Sequence, residues 1–258
     1  MKKKFYNMQM LLILLIFLAA ERITDLAAAG GSIQASIMDW VMETLLTLPA
    51  ILIGLSFHEY AHAKASQLCG DPTPGLYGRL SLSPLAHIDP MGFVSLIFLG
   101  FGWGIPVPVN AGFYKKRRRG EIFVGLAGVT MNLCIAIVVA LLIKLMLVTV
   151  PLFCFGRLGS ILLYIMMKIC WINLMLMGFN LIPCPPLDGF NVLANVLGFR
   201  EREIYYKIYD RGMILLVILV VFNIPGKLLL HPLFFLAELL FGKLMNLPWA
   251  YLLLASPV

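Results

Sequence analysis

His58-Glu59-Tyr60-Ala61-His62 stands inside a stretch, Val41 to Ala65, that is otherwise apolar enough to cross a bilayer. On a helix, residues four apart face the same way, so imidazoles at positions 58 and 62 can hold one metal ion. The glutamate between them can take a proton from the attacking water, which is the chemistry of zinc-assisted peptide hydrolysis. A plainer reading is that these polar residues only tie helices together through hydrogen bonds. Ionisable groups in an apolar span are costly and usually functional, however, and three within one helical turn favour a site.

The rest of the chain has the same apolar character. Of 258 residues, 61% are hydrophobic and 13% charged, against a charged fraction of about 25% in soluble domains. That excludes an ordinary soluble protein and points to a multi-span membrane protein. No polar stretch approaches the size of a separate soluble domain, so residues 1–258 are expected to form a single membrane-embedded metalloprotease domain without appended modules. The net charge of +7 is concentrated in short patches beside apolar runs, where membrane orientation explains it and nucleic-acid binding does not. The five cysteines show no paired C-x-x-C spacing, so neither a disulfide framework nor a thiolate zinc site is implied.

Runs near 5–27, 40–64, 121–150, 158–182, 211–230 and 233–256 are long enough to cross, at about 20 residues per crossing. The expected fold is therefore an all-α polytopic membrane protein of about six transmembrane helices. The first run follows Met1-Lys2-Lys3-Lys4 and resembles a signal peptide with a cleavage point after Ala27-Ala28-Ala29, but retention as a first span is preferred. Between the second and third spans, Leu76 to Phe113 is broken by Pro84, Pro90, Pro106 and Pro108 and by four glycines, which excludes a continuous helix. This piece reads as a re-entrant or interfacial segment, with a β-hairpin and a plain loop both open. Its run Pro106-Val107-Pro108-Val109 could hold an unwound substrate by strand addition along one edge.

Lysine and arginine set the orientation. Lys2 to Lys4, Lys115 to Arg119, and the loop with Arg200, Arg202, Lys207 and Arg211 all fall on one side when six spans alternate, and that side is the cytoplasm. His58 and His62 then lie in the cytoplasmic half of their span.

A catalytic zinc usually takes three protein ligands and leaves one position for water. The remaining histidines are His87, in the broken segment, and His231, on the opposite side. Acids at the cytoplasmic end of an apolar helix reduce mainly to Asp188 and Glu238. Asp188 closes Asn180-Leu181-Ile182-Pro183-Cys184-Pro185-Pro186-Leu187-Asp188-Gly189, after a span that points back to the cytoplasm. Prolines there can aim a carboxylate into a cavity. Asp188 is preferred, and Glu238, on an unbroken helix, reads as a buried polar contact. His87 and Asp89 suit a hydrogen-bonded turn before Pro90 better than a second metal site, and Lys168 suits snorkelling or a helix-to-helix hydrogen bond.

His58 to His62 in a membrane helix, followed by Asn180 to Gly189, resembles the site-2 protease family of intramembrane zinc metalloproteases. The resemblance extends to Leu82-Ser83-Pro84-Leu85-Ala86-His87-Ile88-Asp89-Pro90-Met91-Gly92 and Gly102-Trp103-Gly104-Ile105-Pro106-Val107-Pro108-Val109-Asn110, which are similar to the family's re-entrant segment. It implies one Zn²⁺ per chain bound by His58, His62 and Asp188, with Glu59 as the catalytic glutamate and Asn180 assisting. Read from the residues alone, Asn180 is equally a helix cap. Gly128-Val129-Thr130-Met131-Asn132 departs from the family's frequent Gly-Pro-x-x-Asn by placing Val129 where proline is common. The implied activity is endoproteolysis in or near a transmembrane segment of a substrate protein, as in regulated intramembrane proteolysis. The enzyme would lie in the cell membrane of a prokaryote, with its site opening to the cytoplasm. A divalent-metal transporter is the alternative from another class, but it would spread its ligands along several spans. A catalytically silent relative that only binds membrane helices is disfavoured by intact His58, Glu59, His62 and Asp188.

Overall fold

Among the described residues, near-uniform apolarity makes three helices long enough to cross a membrane: α1, Ile33–Leu68; α3, Arg117–Thr149; and α4, Arg157–Leu181. Between the first two lies α2, Pro90–Leu99, and after α4 come α5, Asp188–Val196; α6, Glu203–Asp210; α7, Gly212–Val221; and α8, Ile224–Ala237. A π-helical turn, Glu238–Leu244, continues α8. The computed structural model describes residues 33–99, 102–222 and 224–244, together with Leu12, Ile16, Ala20 and Thr24. The described residues are all-helical and contain no strand. The expected span 5–27, apart from those four positions, and residues 245–256 of the last expected span lie outside the described residues.

The tail differs from expectation in its break point. Runs 211–230 and 233–256 place it near His231, but α7 ends at Val221 and α8 runs from Ile224 through His231. Pro225 explains the shift, since proline disfavours helix in the residue before it and fits the first turn of a new one. Glu238 also differs, being exposed rather than buried. Leu233, Ala237 and Leu240 take the inward face at i, i+4 and i+7, which turns Glu238 away from it.

Helices α1, α3 and α4 pack against one another. The core runs along Val129, Ala136, Ala140 and Ile143 of α3 against Leu163, Met167, Cys170, Leu174 and Met177 of α4. Ala136 and Ala140 are fully buried. Small residues let the two backbones approach, and the Cys170 thiol donates to the Ala136 carbonyl at 3.4 Å. Val129, at the position where proline is common in the family, leaves α3 continuous and packs into this core. Val138, Leu141, Leu142 and Leu145 face outward, as suits a helix solvated by lipid. Lys168 pairs with Glu43 of α1, the helix-to-helix contact expected of it.

Within 76–113 the β element amounts to one antiparallel bridge, Ile88 to Gly104, closing a loop that contains α2. The Asp89 carboxylate accepts from the Gly92 N–H at 2.8 Å in the first turn of α2, and His87 Nε2 donates to the Ser81 carbonyl at 2.7 Å. Both therefore serve the turn. Beyond the bridge the chain has no regular secondary structure from 105 to 110. Prolines at 106 and 108 withhold donors there, so side chains anchor the segment instead. Buried Asp71 accepts from the Asn110 N–H at 2.7 Å, the Ser66 hydroxyl at 2.8 Å and the Thr73 N–H at 2.9 Å. Burial opposes ionisation of Asp71, but these donors hold its carboxyl below the ordinary carboxylate range. Ser66 also bonds the Tyr114 hydroxyl, whose pKa burial pushes up to about 12.

Replacing Asp71 by alanine leaves buried donors unpaired, at about 1–3 kcal/mol for each that water cannot reach. We expect Asp71→Ala to lower the thermal unfolding midpoint in detergent and to speed trypsin cleavage within Lys115 to Arg119, just beyond the released segment.

Candidate metal centre

His58 and His62 project from one face of α1 towards α3, where Val124, Gly128 and Asn132 form a matching stripe four residues apart. The two helices are antiparallel here: His62 Nδ1 lies 2.7 Å from the Val124 carbonyl and His58 Nδ1 lies 2.9 Å from Asn132 Oδ1. A carbonyl oxygen only accepts, so each Nδ1 carries the proton and each Nε2 presents a lone pair. The two Nε2 atoms are 3.0 Å apart. Asp188 Oδ2 lies 3.1 Å from both. Three acceptors thus converge with no donor among them, an arrangement that calls for a cation at its centre.

Gly128 makes the room. A Cβ there would come within 2.5 Å of His62 Nε2 and 2.6 Å of His58 Nε2, so the backbone of α3 forms a floor that any side chain would fill. The donor set also fits zinc: bonds of about 2.0–2.1 Å at tetrahedral angles set ligand atoms about 3.3 Å apart. The triangle here, at 3.0–3.1 Å, is within a few tenths of that spacing. His58, His62 and Asp188 could therefore hold a metal ion. The Nδ1 contacts to Val124 and Asn132 are the outer partners that fix tautomer and ring orientation in metal sites.

Asp188 reaches this point because α4 ends at Leu181 and the chain turns through Pro183, Pro185 and Pro186 before α5 starts at Asp188 itself. The fold-back is tight, since a Cβ on Gly189 would lie 2.3 Å from the Leu181 carbonyl oxygen. Its side chain keeps 22% of its surface exposed, against 7% for His58 and 11% for His62, so the open side of the triangle is the carboxylate's.

A cavity of about 550 Å³ gathers His58, Glu59, His62, Asn180 and Asp188 in one wall system. Arg117, Glu121 and Arg200 line the same cavity, so two of the three basic clusters sit at the end where His58, His62 and Asp188 converge. Glu59 Oε2 accepts from the Val107 N–H at 3.1 Å, which ties the segment 105–110 to the cavity wall. Asn180 lines the cavity while its Nδ2 donates to the Leu176 carbonyl at 3.0 Å, within its own helix.

Sequence reasoning did not assign Asn132, Gly128 or Glu121. The signal for Asn132 was present: an amide in an apolar run must find a partner. Gly128 four residues before it placed a side-chain-free position on the same stripe. Glu121, which follows Arg117-Arg118-Arg119-Gly120 at the start of α3, carried no local sign of its contacts with α5.

The model of peptidase family M50 matches residues 157–222, which include Asn180 and Asp188. Two relatives bear the name "Putative zinc metalloprotease". YwhC of Bacillus subtilis is 33% identical over 204 residues, covering 76% of this chain and 86% of its own. Rip2 of Mycobacterium tuberculosis is 29% identical over 186 residues, covering 69% of this chain and 63% of its own. No solved structure matches the chain.

Two substitutions test the floor and the outer partner. Gly128→Ala should lower zinc affinity at least 10-fold by pushing the imidazoles apart, although alanine favours helix by about 1 kcal/mol. Asn132→Ala, which frees the His58 ring, should cost about 10- to 100-fold in metal affinity. Both are read by zinc retention against graded chelators.

Proposed function

The chain belongs to peptidase family M50, the site-2 protease family, and is a zinc metalloprotease, and from that premise we propose that it is an intramembrane endopeptidase. Its substrate is the transmembrane segment of another protein, cut in or near the bilayer. The observation that carries this is the convergence of two lone-pair imidazole nitrogens and the Asp188 carboxylate beside Glu59, with both imidazoles and Glu59 on α1, a helix apolar enough to span a membrane.

His58, His62 and Asp188 are the proposed ligands. Zn²⁺ held there supplies Lewis-acid activation of water and polarisation of the scissile carbonyl. Glu59 accepts the proton of the attacking water and delivers it to the leaving amine. Its carboxylate is close to this task but is engaged by the Val107 N–H, so a substrate strand entering beneath residues 105–110 would compete for that contact. Asn180 can offer its amide to the developing oxyanion once it releases the Leu176 carbonyl.

An apolar groove of about 510 Å³ supports a helical substrate. Leu48, Ile51 and Leu55 of α1, Leu96 of α2, and Ile172 and Leu176 of α4 wall it. Leu55 stands one turn before Glu59 and Leu176 one turn before Asn180, so groove and cavity share two helices. We further propose one membrane-embedded domain over residues 1–258, with about six crossings and with 76–113 re-entrant. The basic clusters at the cavity end orient the site to the cytoplasm of a prokaryotic cell membrane.

The test is zinc content and cleavage of a transmembrane substrate by protein purified in detergent. Glu59→Gln is expected to keep zinc and lose cleavage by at least 1000-fold, in line with loss of a general base plus its electrostatics. His58→Ala and Asp188→Ala are expected to lose metal as well. Cleavage by Glu59→Gln at the wild-type rate would overturn the mechanism.

A further inference from the structure

Resting on the reading of Asp188 as a metal ligand, we propose that Glu121 is a positioning residue for the centre: it clamps α5 to α3 and thereby fixes the Asp188 carboxylate.

Helix α5 needs such a clamp. It has nine residues, follows a proline-broken turn, and its start has no side-chain cap. Phe190 and Ala194 pack it on Tyr205 and Phe199, and a polar seam joins it to α3. Along α5, Asp188, Val192 and Asn195 share a face, and along α3 so do Glu121, Gly125 and Gly128. The two stripes meet antiparallel. Asn195 Nδ2 donates to Glu121 Oε2 at 3.0 Å. A Cβ on Gly125 would lie 2.8 Å from Val192 Cγ2, so the middle of the seam is as close as backbone allows. At the other end Gly128 faces the imidazoles to which Asp188 is directed.

Glu121 gathers more than Asn195. Its Oε2 also accepts from Arg200 Nε at 3.1 Å and its Oε1 from Arg117 Nε at 3.1 Å. The Glu121 side chain is only 12% exposed and Arg200 32%, so that charge-assisted bond is partly shielded from water, whereas Arg117 is 58% exposed and its bond is screened more. Arg200 lies 4.0 Å over the Tyr205 ring, and the Tyr205 hydroxyl donates to Asn191 Oδ1 of α5 at 2.8 Å. Arg118 closes the seam by donating to the Asn195 carbonyl at 2.7 Å and the Val196 carbonyl at 2.8 Å. One carboxylate thus joins the start of α3, the end of α5 and the approach to α6.

The lever is long enough to matter. Seven residues of helix separate Asn195 from Asp188, about 10 Å, so a tilt of about 5° at one end moves the other by about 0.9 Å. A metal or catalytic site tolerates about 0.5 Å. Glu121 also lines the catalytic cavity, so contact with substrate is the competing role. That role would alter KM and leave metal affinity unchanged.

A double-mutant cycle separates the two on the full chain in detergent. Zn²⁺ affinity is measured by competition with chelators of graded strength for wild type, Glu121→Ala, Asp188→Ala and the double variant. Glu121→Ala should bind about 10-fold more weakly. In the Asp188→Ala background it should cause no further loss, because the ligand it positions is gone. Glu121→Gln, which keeps an acceptor for Asn195, should recover most of the affinity, and it carries the test should the alanine variant not fold. Bound Co²⁺ should show altered d–d bands in Glu121→Ala. Wild-type affinity in Glu121→Ala, or an equal loss in both backgrounds, would overturn the proposal. Wild-type affinity in Asp188→Ala would instead overturn the ligand reading beneath it.

Discussion

The centre depends on how closely α1 and α3 can approach, and Gly128 sets that distance. Two histidines one turn apart on α1 meet three positions one turn apart on α3, in antiparallel register: His62 at Val124, His58 at Asn132, and bare backbone between them. Any side chain at the middle position would occupy the space that the two Nε2 atoms share. The outer contacts do a second job, because a proton held on each Nδ1 turns both lone pairs inward. The lone pairs of the two imidazoles are therefore set by α1 and α3 together.

Three inward-facing acceptors are a cost unless a cation or a proton lies between them. Each Nδ1 is already committed to α3 and the Val107 N–H to Glu59. A cation removes the cost, so metal binding and the docking of α5 against α1 and α3 must be linked. On the proposed reading, this is why the third ligand would sit on a short helix rather than a long one. Proline turns before Asp188 detach α5 from the direction of α4, and the seam with α3 then fixes it independently.

How much of this was legible in the sequence varied with the range of the interaction. His58 and His62 declared themselves by spacing within one helix, because local periodicity needs no knowledge of the fold. Asp188 emerged from counting spans, a topological argument that needs only alternation, and the structure brings it to 3.1 Å from both imidazoles. The tail failed locally: hydropathy ran through 211–230 without registering Pro225, which resets the helix boundary. The broken segment was recognised as irregular, but hydropathy could not tell a hairpin from a helix with a bridged neck, and Asp89 at the neck tipped it to α2. Gly128, Asn132 and Glu121 act across helices, so their roles depend on a register that no single stretch contains.

The same division bears on how hydrolysis can occur among apolar helices. Lipid-facing residues such as Val138, Leu142 and Leu145 surround α3 lower down, whereas the cavity end is walled by Glu121, Asn195, Arg117 and Arg200. Water can be held there because its hydrogen-bonding partners are fixed in place and charged. On the proposed reading, a substrate helix would meet the apolar groove first and polar walls second. Its backbone loses the protection of hydrocarbon where Leu55 gives way to Glu59 and Leu176 to Asn180. An intrahelical hydrogen bond is worth little beside water and competing donors. The polar step along α1 and α4 would then itself favour unwinding at the point where Glu59 waits.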